Sequence, residues 1–383
     1  MKGYFRKRGS KWSFTVDIGR DPETGKRKQK TVSGFKTKKE AEKACAEMIA
    51  QVENRQYVVE SKEAYGEYLL NYMNNVARHA MRPSGFTNQM YKVKKHILPA
   101  LGQMKLKDIK PMHIQKFYSQ KLSEGFSPAS IHSYHAIISK SLRQAKNWGL
   151  IQENAASSVS LPRIQKKQLK TWSLDEINQF LHAISKRDKR YEPFYIIYVL
   201  AIYSGMRKGE ILAIQWKDCD LENGYIRVQR TLAKTPGKLF FQEPKTAQSI
   251  RTIKLPDFAL QALKAQKIKQ KAWRLQLGAA YQDLDLVASD FDGGMITPSE
   301  ADHDFKRACE HAGVQKIRFH DLRHTHATIL LQLGENPKVV SERLGHGNIT
   351  VTLTTYSHVL PIMQDNLAKN FDDALKNTSK KSI

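Results

Sequence analysis

His320-Asp321-Leu322-Arg323-His324, then Leu344-Gly345-His346 and Tyr356, is the stretch around which the chain is organised, and Ser204-Gly205-Met206-Arg207-Lys208-Gly209-Glu210 is its upstream counterpart. Two arginines suit an oxyanion with several acceptor oxygens, because each planar guanidinium binds phosphate through paired hydrogen bonds. A tyrosine hydroxyl near such a clamp is a candidate nucleophile, and histidines beside it are candidate proton carriers. Together they describe attack on a phosphodiester. Arg207 and Arg323 are expected to hold the non-bridging oxygens as they gain charge. Glu210, three residues beyond Arg207 on an expected helix, orients that guanidinium through a salt bridge. His320 has the same spacing to Arg323, and His346, after a Leu-Gly turn, donates a further hydrogen bond. Lys245, in Glu243-Pro244-Lys245-Thr246, lies between two strand-like segments, where a mobile hairpin is expected to bring its ammonium to the 5′ leaving oxygen.

Charge names the partner class. The 383 residues carry a formal charge of +26, with a pI of about 9.8, an excess that favours a polyanion over plain solubility. Cys45, Cys219 and Cys309 show no paired spacing, so neither a disulfide framework nor a zinc site follows and a reducing compartment fits. The N-terminal Met-Lys-Gly-Tyr-Phe-Arg-Lys-Arg lacks the apolar core of a signal peptide. The longest apolar stretch, Phe194 to Ile202, is too short to span a bilayer. The expectation is a cytoplasmic protein that makes no membrane contact.

The length predicts more than one domain. Trp12, Phe14, Val16 and Ile18 alternate as on one face of a strand, Asp21-Pro22-Glu23-Thr24-Gly25 reads as a turn, and a lysine-rich strand ends near Val32. Phe35 to Val52 then takes helical spacing, with Ala41, Ala44, Cys45, Met48 and Ile49 on one side. Through residue 39 there are 13 lysines and arginines against 3 acids. A basic two- or three-stranded ribbon fits the major groove of DNA; the other reading is a solubilising cap. Residues 61–160 are helical, with a break expected at Pro83-Ser84-Gly85 and a capped helix start at Ser127-Pro128. Leu161 to Lys170 reads as a linker, and Ser173-Leu174-Asp175-Glu176 as a capping box. Residues 171–383 mix helices with a short sheet containing Tyr225–Val228 and Ile250–Leu255, joined by a turn-rich stretch with Pro236-Gly237. The expected fold is thus multi-domain. A small β-ribbon plus helix comes first, then an all-α domain, then a mixed α+β, mainly helical domain.

Each site residue also has a plainer reading. A lone arginine among 63 basic residues is most often on the surface, and a lone tyrosine among 15 most often lies in a core or interface. His320, His324 and His326 suggest a metal site, since i and i+4 share a helix face. No carboxylate stands nearby in a metal-protease pattern, and Asp321 points away from that face. Asp218, Asp220 and Glu222 mimic an acidic magnesium cluster, but they fall in a helix-to-strand turn, where capping and solubility roles dominate. The signal lies in joint occurrence and order.

In that order the chain resembles the tyrosine recombinases, or phage integrases, and in particular the integrases of phages and conjugative transposons. Arg207 in Ser-Gly-Met-Arg-Lys-Gly-Glu, Lys245 in Pro-Lys-Thr, His320-x-x-Arg323, Leu-Gly-His346 and Tyr356 in Thr-Thr-Tyr-Ser-His supply a residue of the right type at all six catalytic positions. The resemblance implies an arm-type DNA-binding domain at 1–55, a core-binding domain at 61–160 and a catalytic domain at 171–383. It implies that Tyr356 attacks the scissile phosphate of double-stranded DNA attachment sites, giving a 3′-phosphotyrosyl link and a free 5′-hydroxyl. The covalent link conserves the bond energy, so no cofactor, ATP or metal is expected. A four-way junction, a homotetramer on DNA, a DNA-bending host protein and an excision factor belong to the same expectation. The tail after Tyr356 reads as an amphipathic helix that docks on a neighbouring protomer or on its own domain. Two other classes share parts of the pattern, a DNA-relaxing enzyme of the type IB topoisomerase kind and a catalytically silent DNA-binding repressor. The arm domain and the intact catalytic set favour integration and excision of a mobile element.

Deleting residues 1–55 is expected to leave cleavage of core sites intact and to impair recombination between full attachment sites. Comparing the two reactions for the truncated protein is the test; undiminished recombination would reduce the ribbon to a solubilising appendage.

Overall fold

In the computed structural model, which describes residues 2–20, 26–53, 63–165, 169–235, 237–243 and 249–357, the alternating segment around Phe14 is the middle strand of a three-stranded antiparallel sheet. The strands are β1 (Tyr4–Arg8), β2 (Lys11–Arg20) and β3 (Arg27–Phe35), in the order β1-β2-β3. The sheet takes the three-stranded form of the two expected, and its last strand runs on to Phe35, past Val32. The expected turn at 21–25 lies outside the described residues. The following helix starts later than expected, at Lys38, because Thr37 and Glu40 cap it reciprocally. Phe14, Val16, Ala41 and Cys45 are buried between sheet and helix. Cys45 is therefore a small apolar core residue, its thiol pKa raised by burial.

The chain divides into two compact units, Met1–Gln165 and Lys166–Ile383. Within the first unit the helical part has its own core, which shares no buried residue with the sheet-and-helix core. Pro83 does not break the helical run. It sits in the first turn of Pro83–Lys92, where its missing N–H costs nothing; the break falls just before it, at Met81 and Arg82. Two π-turns, Met73–Ala77 and Val93–Ile97, leave no trace in the hydrophobic pattern. Ser127 accepts the Ser130 N–H at 3.3 Å and starts Pro128–Asn147. The buried Tyr65 hydroxyl bonds Ser141 Oγ at 2.9 Å and Tyr68 donates to the Ser141 carbonyl at 2.7 Å, so neither hydroxyl is unpaired.

Residues 166–168 of the expected linker, and the tail beyond Ser357, lie outside the described residues. The second unit opens with the expected capping box: Ser173 Oγ accepts Glu176 N–H at 3.2 Å and Glu176 accepts Ser173 N–H at 2.9 Å. The apolar stretch becomes Glu192–Ser204, a central helix covered on most sides. Among the described residues no helix is long and apolar enough to cross a membrane. The short sheet runs β4 (Cys219–Asp220), β5 (Tyr225–Val228) and β8 (Arg251–Lys254), so the two expected strands pair directly. The intervening stretch is not merely turns. It forms a second hairpin, β6 (Thr231–Thr235) with β7 (Lys238–Gln242). Asp218 and Asp220 have turn roles: Asp218 accepts Gln215 N–H at 3.0 Å and pairs with Arg230, and Asp220 accepts Asn223 N–H at 2.9 Å.

Phe14→Ala removes the largest side chain of a very small core, at a cost of about 3–5 kcal/mol. A core of this size has little stability to spare, so amide-exchange protection is expected to collapse in 2–53 and to persist in the helices of 63–165. Retained protection in the sheet would mean that Phe14 does not carry it.

Candidate active site

The site begins where the Glu192–Ser204 helix ends. Gly205 adopts the left-handed conformation (φ 64°), and a Cβ there would lie 2.6 Å from the His326 ring and 2.9 Å from Leu344. Only glycine fits both constraints. Arg207 follows in extended conformation as the N-cap of the one-turn helix Lys208–Ile211, not inside a helix as the spacing suggested, because the left-handed turn has just reset the chain. Glu210 bonds it twice, accepting the Arg207 N–H at 2.9 Å and Nη1 at 2.7 Å. The same carboxylate accepts Arg251 Nη2 at 2.9 Å. Burial pushes the Glu210 pKa up, but Arg251 and Arg207 outweigh it and hold the carboxyl below its ordinary value. Arg207 Nη2 also donates to the Gly345 carbonyl at 3.1 Å.

Arg323 comes from the helix Asp321–Gln332. Asp321 turns away from the site, accepting Arg318 N–H at 2.8 Å and Nη2 at 2.7 Å. Arg323 is only 3% exposed. Its Nη1 donates to the Gly205 carbonyl at 2.8 Å, while Nη2 is buried with no hydrogen-bond partner among the described residues. Burial first, and Arg207 second, push the Arg323 pKa down to about 9, so it remains a cation at neutral pH. His326 is held as a neutral ring, with Nδ1 against the Ile202 carbonyl at 2.8 Å and Nε2 accepting from Arg343 Nε at 3.1 Å. Both of its nitrogens are thereby taken, and the three histidines do not converge. Among the described residues no group of three or more His, Cys, Asp or Glu is placed to hold a metal.

His346 follows the left-handed Gly345 cap of Pro337–Leu344, and its Nδ1 meets Thr352 Oγ1 at 2.8 Å. Tyr356 closes the helix Ile349–Thr355. It is 1% exposed, packed with Ala327, Leu331, Val340 and Leu344, and its hydroxyl lies 2.9 Å from His324 Nδ1. Burial pushes its pKa up to about 12, against the pull of Arg323. His320 and His346 are each pushed down to about 4, by burial first. Next come His324 and Arg323 for His320, and Arg323 and Arg207 for His346. Arg207, Glu210, His320, Arg323, His346 and Tyr356 thus share one electrostatic neighbourhood, whereas Lys245 lies outside the described residues. Arg251 was not singled out from sequence, since an arginine among so many bases carries no signal. The approach of His324 to Tyr356 was not expected either; only the i+4 spacing from His320 hinted at it. Beside His320 opens a groove of about 970 Å³ lined in part by Lys170, Lys208, Lys306, Lys316 and Arg318 over Phe319.

Comparison with known proteins places most of the chain beside one family. The phage integrase family model matches residues 170–362, an arm DNA-binding domain matches 4–52, and the N-terminal SAM-like domain of phage integrases matches 64–122. The chain is 30% identical over 381 residues to a XerC-like tyrosine recombinase of Caldanaerobacter subterraneus, covering 94% of this chain and 96% of that one. It is 27% identical to the ICEBs1 integrase of Bacillus subtilis, over 95% of this chain and 97% of the relative. In fold it is similar to the Tn1549 transposon integrase in complex with transposon right-end DNA (TM-score 0.67, 20% identity, 80% of this chain and 99% of that one). It is also similar to a lambda integrase tetramer bound to a Holliday junction (TM-score 0.55, 19% identity, 91% and 96%).

Glu210→Ala leaves Arg251, whose side chain is 7% exposed, buried without its carboxylate. Such a break costs about 3–5 kcal/mol and is read as a lowered urea midpoint. Because the folded carboxyl titrates below its ordinary value, the stabilisation is complete above the unfolded pKa and lost as pH falls through the folded one. The deficit of the variant should therefore be full at neutral pH and shrink in acid; a deficit constant down to strongly acidic pH would argue that packing, not charge, is what was lost.

Proposed function

The chain belongs to the phage integrase family of tyrosine recombinases, and from that premise we propose that it integrates and excises a mobile genetic element by cutting and rejoining DNA at specific sites. The observation that carries the reading is the unpaired Nη2 of the buried Arg323. A buried cationic donor without an acceptor costs free energy, and a phosphate oxygen arriving from outside satisfies it while Arg207, half-exposed, takes another. The two guanidiniums then face the oxygens on which charge builds in the transition state.

In this mechanism Tyr356 attacks the scissile phosphorus, its oxygen bonds to phosphorus, and the 5′-oxygen departs with a proton supplied by Lys245. His320 and His346, both neutral at physiological pH, donate hydrogen bonds without adding charge. The bond energy is kept in the phosphotyrosyl link, so the 5′-hydroxyl of another strand reverses the step without ATP. The domains assigned are 1–55 for arm sites, 61–160 for core-site binding and 171–383 for catalysis. A homotetramer bridging two double-stranded attachment sites, with a DNA-bending host protein and an excision factor, completes the reading. The tetramer on DNA is supported by the lambda integrase tetramer bound to a Holliday junction, and action on a mobile element by the ICEBs1 integrase and the transposase from transposon Tn916 among the relatives.

Tyr356→Phe is expected to abolish covalent complex formation on a nicked suicide substrate while core-site binding stays near wild type, since affinity comes largely from phosphate contacts elsewhere. The wild-type protein is expected to transfer strands between two distinct sites. Relaxation of supercoils without strand transfer would place it with the type IB topoisomerases, and specific binding without any covalent complex would make it a repressor.

A further inference from the structure

Tyr356 meets a residue outside the six expected catalytic positions. Its hydroxyl sits 2.9 Å from Nδ1 of His324, with ring centroids 5.7 Å apart. His324 lies on the helix that carries Arg323, and its ring is braced edge-on by His320 at 5.1 Å. We propose that His324 is the proton acceptor for the Tyr356 hydroxyl in DNA cleavage. As the tyrosine oxygen bonds to phosphorus, its proton moves to Nδ1 of His324, the phosphorus–5′-oxygen bond breaks, and the 5′-oxygen leaves with a proton from Lys245. In rejoining, a 5′-hydroxyl attacks phosphorus, gives its proton to Lys245, and the departing tyrosine oxygen recovers its own from His324. The inference rests on Tyr356 being the nucleophile.

The surroundings suit that role. His324 is faced by Arg318, His320, Asp321 and Arg323 from its own helix and the preceding turn, and by Tyr356 and His346 from the end of the described chain. Burial lowers its pKa; Asp321 opposes this, while Arg323 and Arg318 add to it. The ring is therefore neutral at physiological pH and able to accept a proton. The tyrosine, pushed up to about 12, does not ionise unaided. A phosphate bound by Arg207 and Arg323 brings negative charge that offsets the two guanidiniums and raises the basicity of the imidazole when the proton must move. A positioned base of this kind contributes about 10²–10⁴ in rate.

The test is single-turnover covalent-complex formation by the full chain on a nicked suicide substrate, from about pH 6 to about pH 9. Wild-type rates are expected to be flat once His324 is neutral. His324→Ala should be about a hundredfold or more slower near neutrality, with DNA binding retained and a rate that climbs about tenfold per pH unit, as solvent-ionised tyrosine takes over. His324→Gln keeps a hydrogen bond but cannot take the proton, so it should behave like alanine, and it carries the test if the alanine variant does not fold. A glutamine variant with a fast, flat profile overturns the proposal in favour of mere positioning. Wild-type rates in either variant, or a uniform loss with no pH slope, overturn it as well. Tyr356→Phe is assayed alongside: a covalent complex there rejects the nucleophile itself, an outcome distinct from any change of slope at His324.

Discussion

A buried carboxylate between two guanidiniums holds the candidate active site together. Glu210 is 4% exposed and takes hydrogen bonds from Arg207 on one side and Arg251 on the other. Without it, Arg207, Arg251 and Arg323 would repel one another in a poorly solvated place, where charge interactions are strong. With it, the cluster keeps a positive excess that is tolerable to the fold and still open to an anion. The geometry of the rest follows. Arg251 donates to the Arg343 carbonyl at 2.6 Å and Arg207 to the Gly345 carbonyl at 3.1 Å, so the turn that presents His346 is pinned at two successive places.

Much of this was legible in the residues because local rules and the global fold agree. The Ser173–Glu176 capping box, the alternation through Phe14 and the helical spacing after Ser127 each reflect one dominant interaction, and each produced its element. The break placed at Pro83-Ser84-Gly85 failed because proline is as good a helix beginning as it is a helix end. The helix expected around Arg207 failed because Gly205 imposes a left-handed residue just before it, a tertiary requirement set by His326 and Leu344. The β6–β7 hairpin was hidden by short, mixed strands whose burial alternates only weakly. The motif residues stood out by their order along the chain, yet their partners did not. Arg251 and Thr352 acquire meaning only from what folds against them.

Neutral histidines are the other side of the same electrostatics. His320, His326 and His346 all lose basicity, first from burial and then from cations or rings nearby. Each therefore acts as a dipole that can donate and accept, and none adds to the positive charge of the guanidiniums. His326 shows the structural use of this state: one nitrogen faces a carbonyl, the other accepts from Arg343, a combination that a protonated ring could not make.

The anchors of this centre are mostly main-chain oxygens. Arg323 is tied to Gly205, Arg207 to Gly345, Arg251 to Arg343, and Arg343 to Tyr203 and Lys254, each through a carbonyl. A carbonyl is present whatever side chain its residue bears. Reactivity is in this way insulated from drift at neighbouring positions, provided the two glycines keep their backbone turns. Side chains around the centre can then change while the positions of its guanidiniums stay fixed by the backbone.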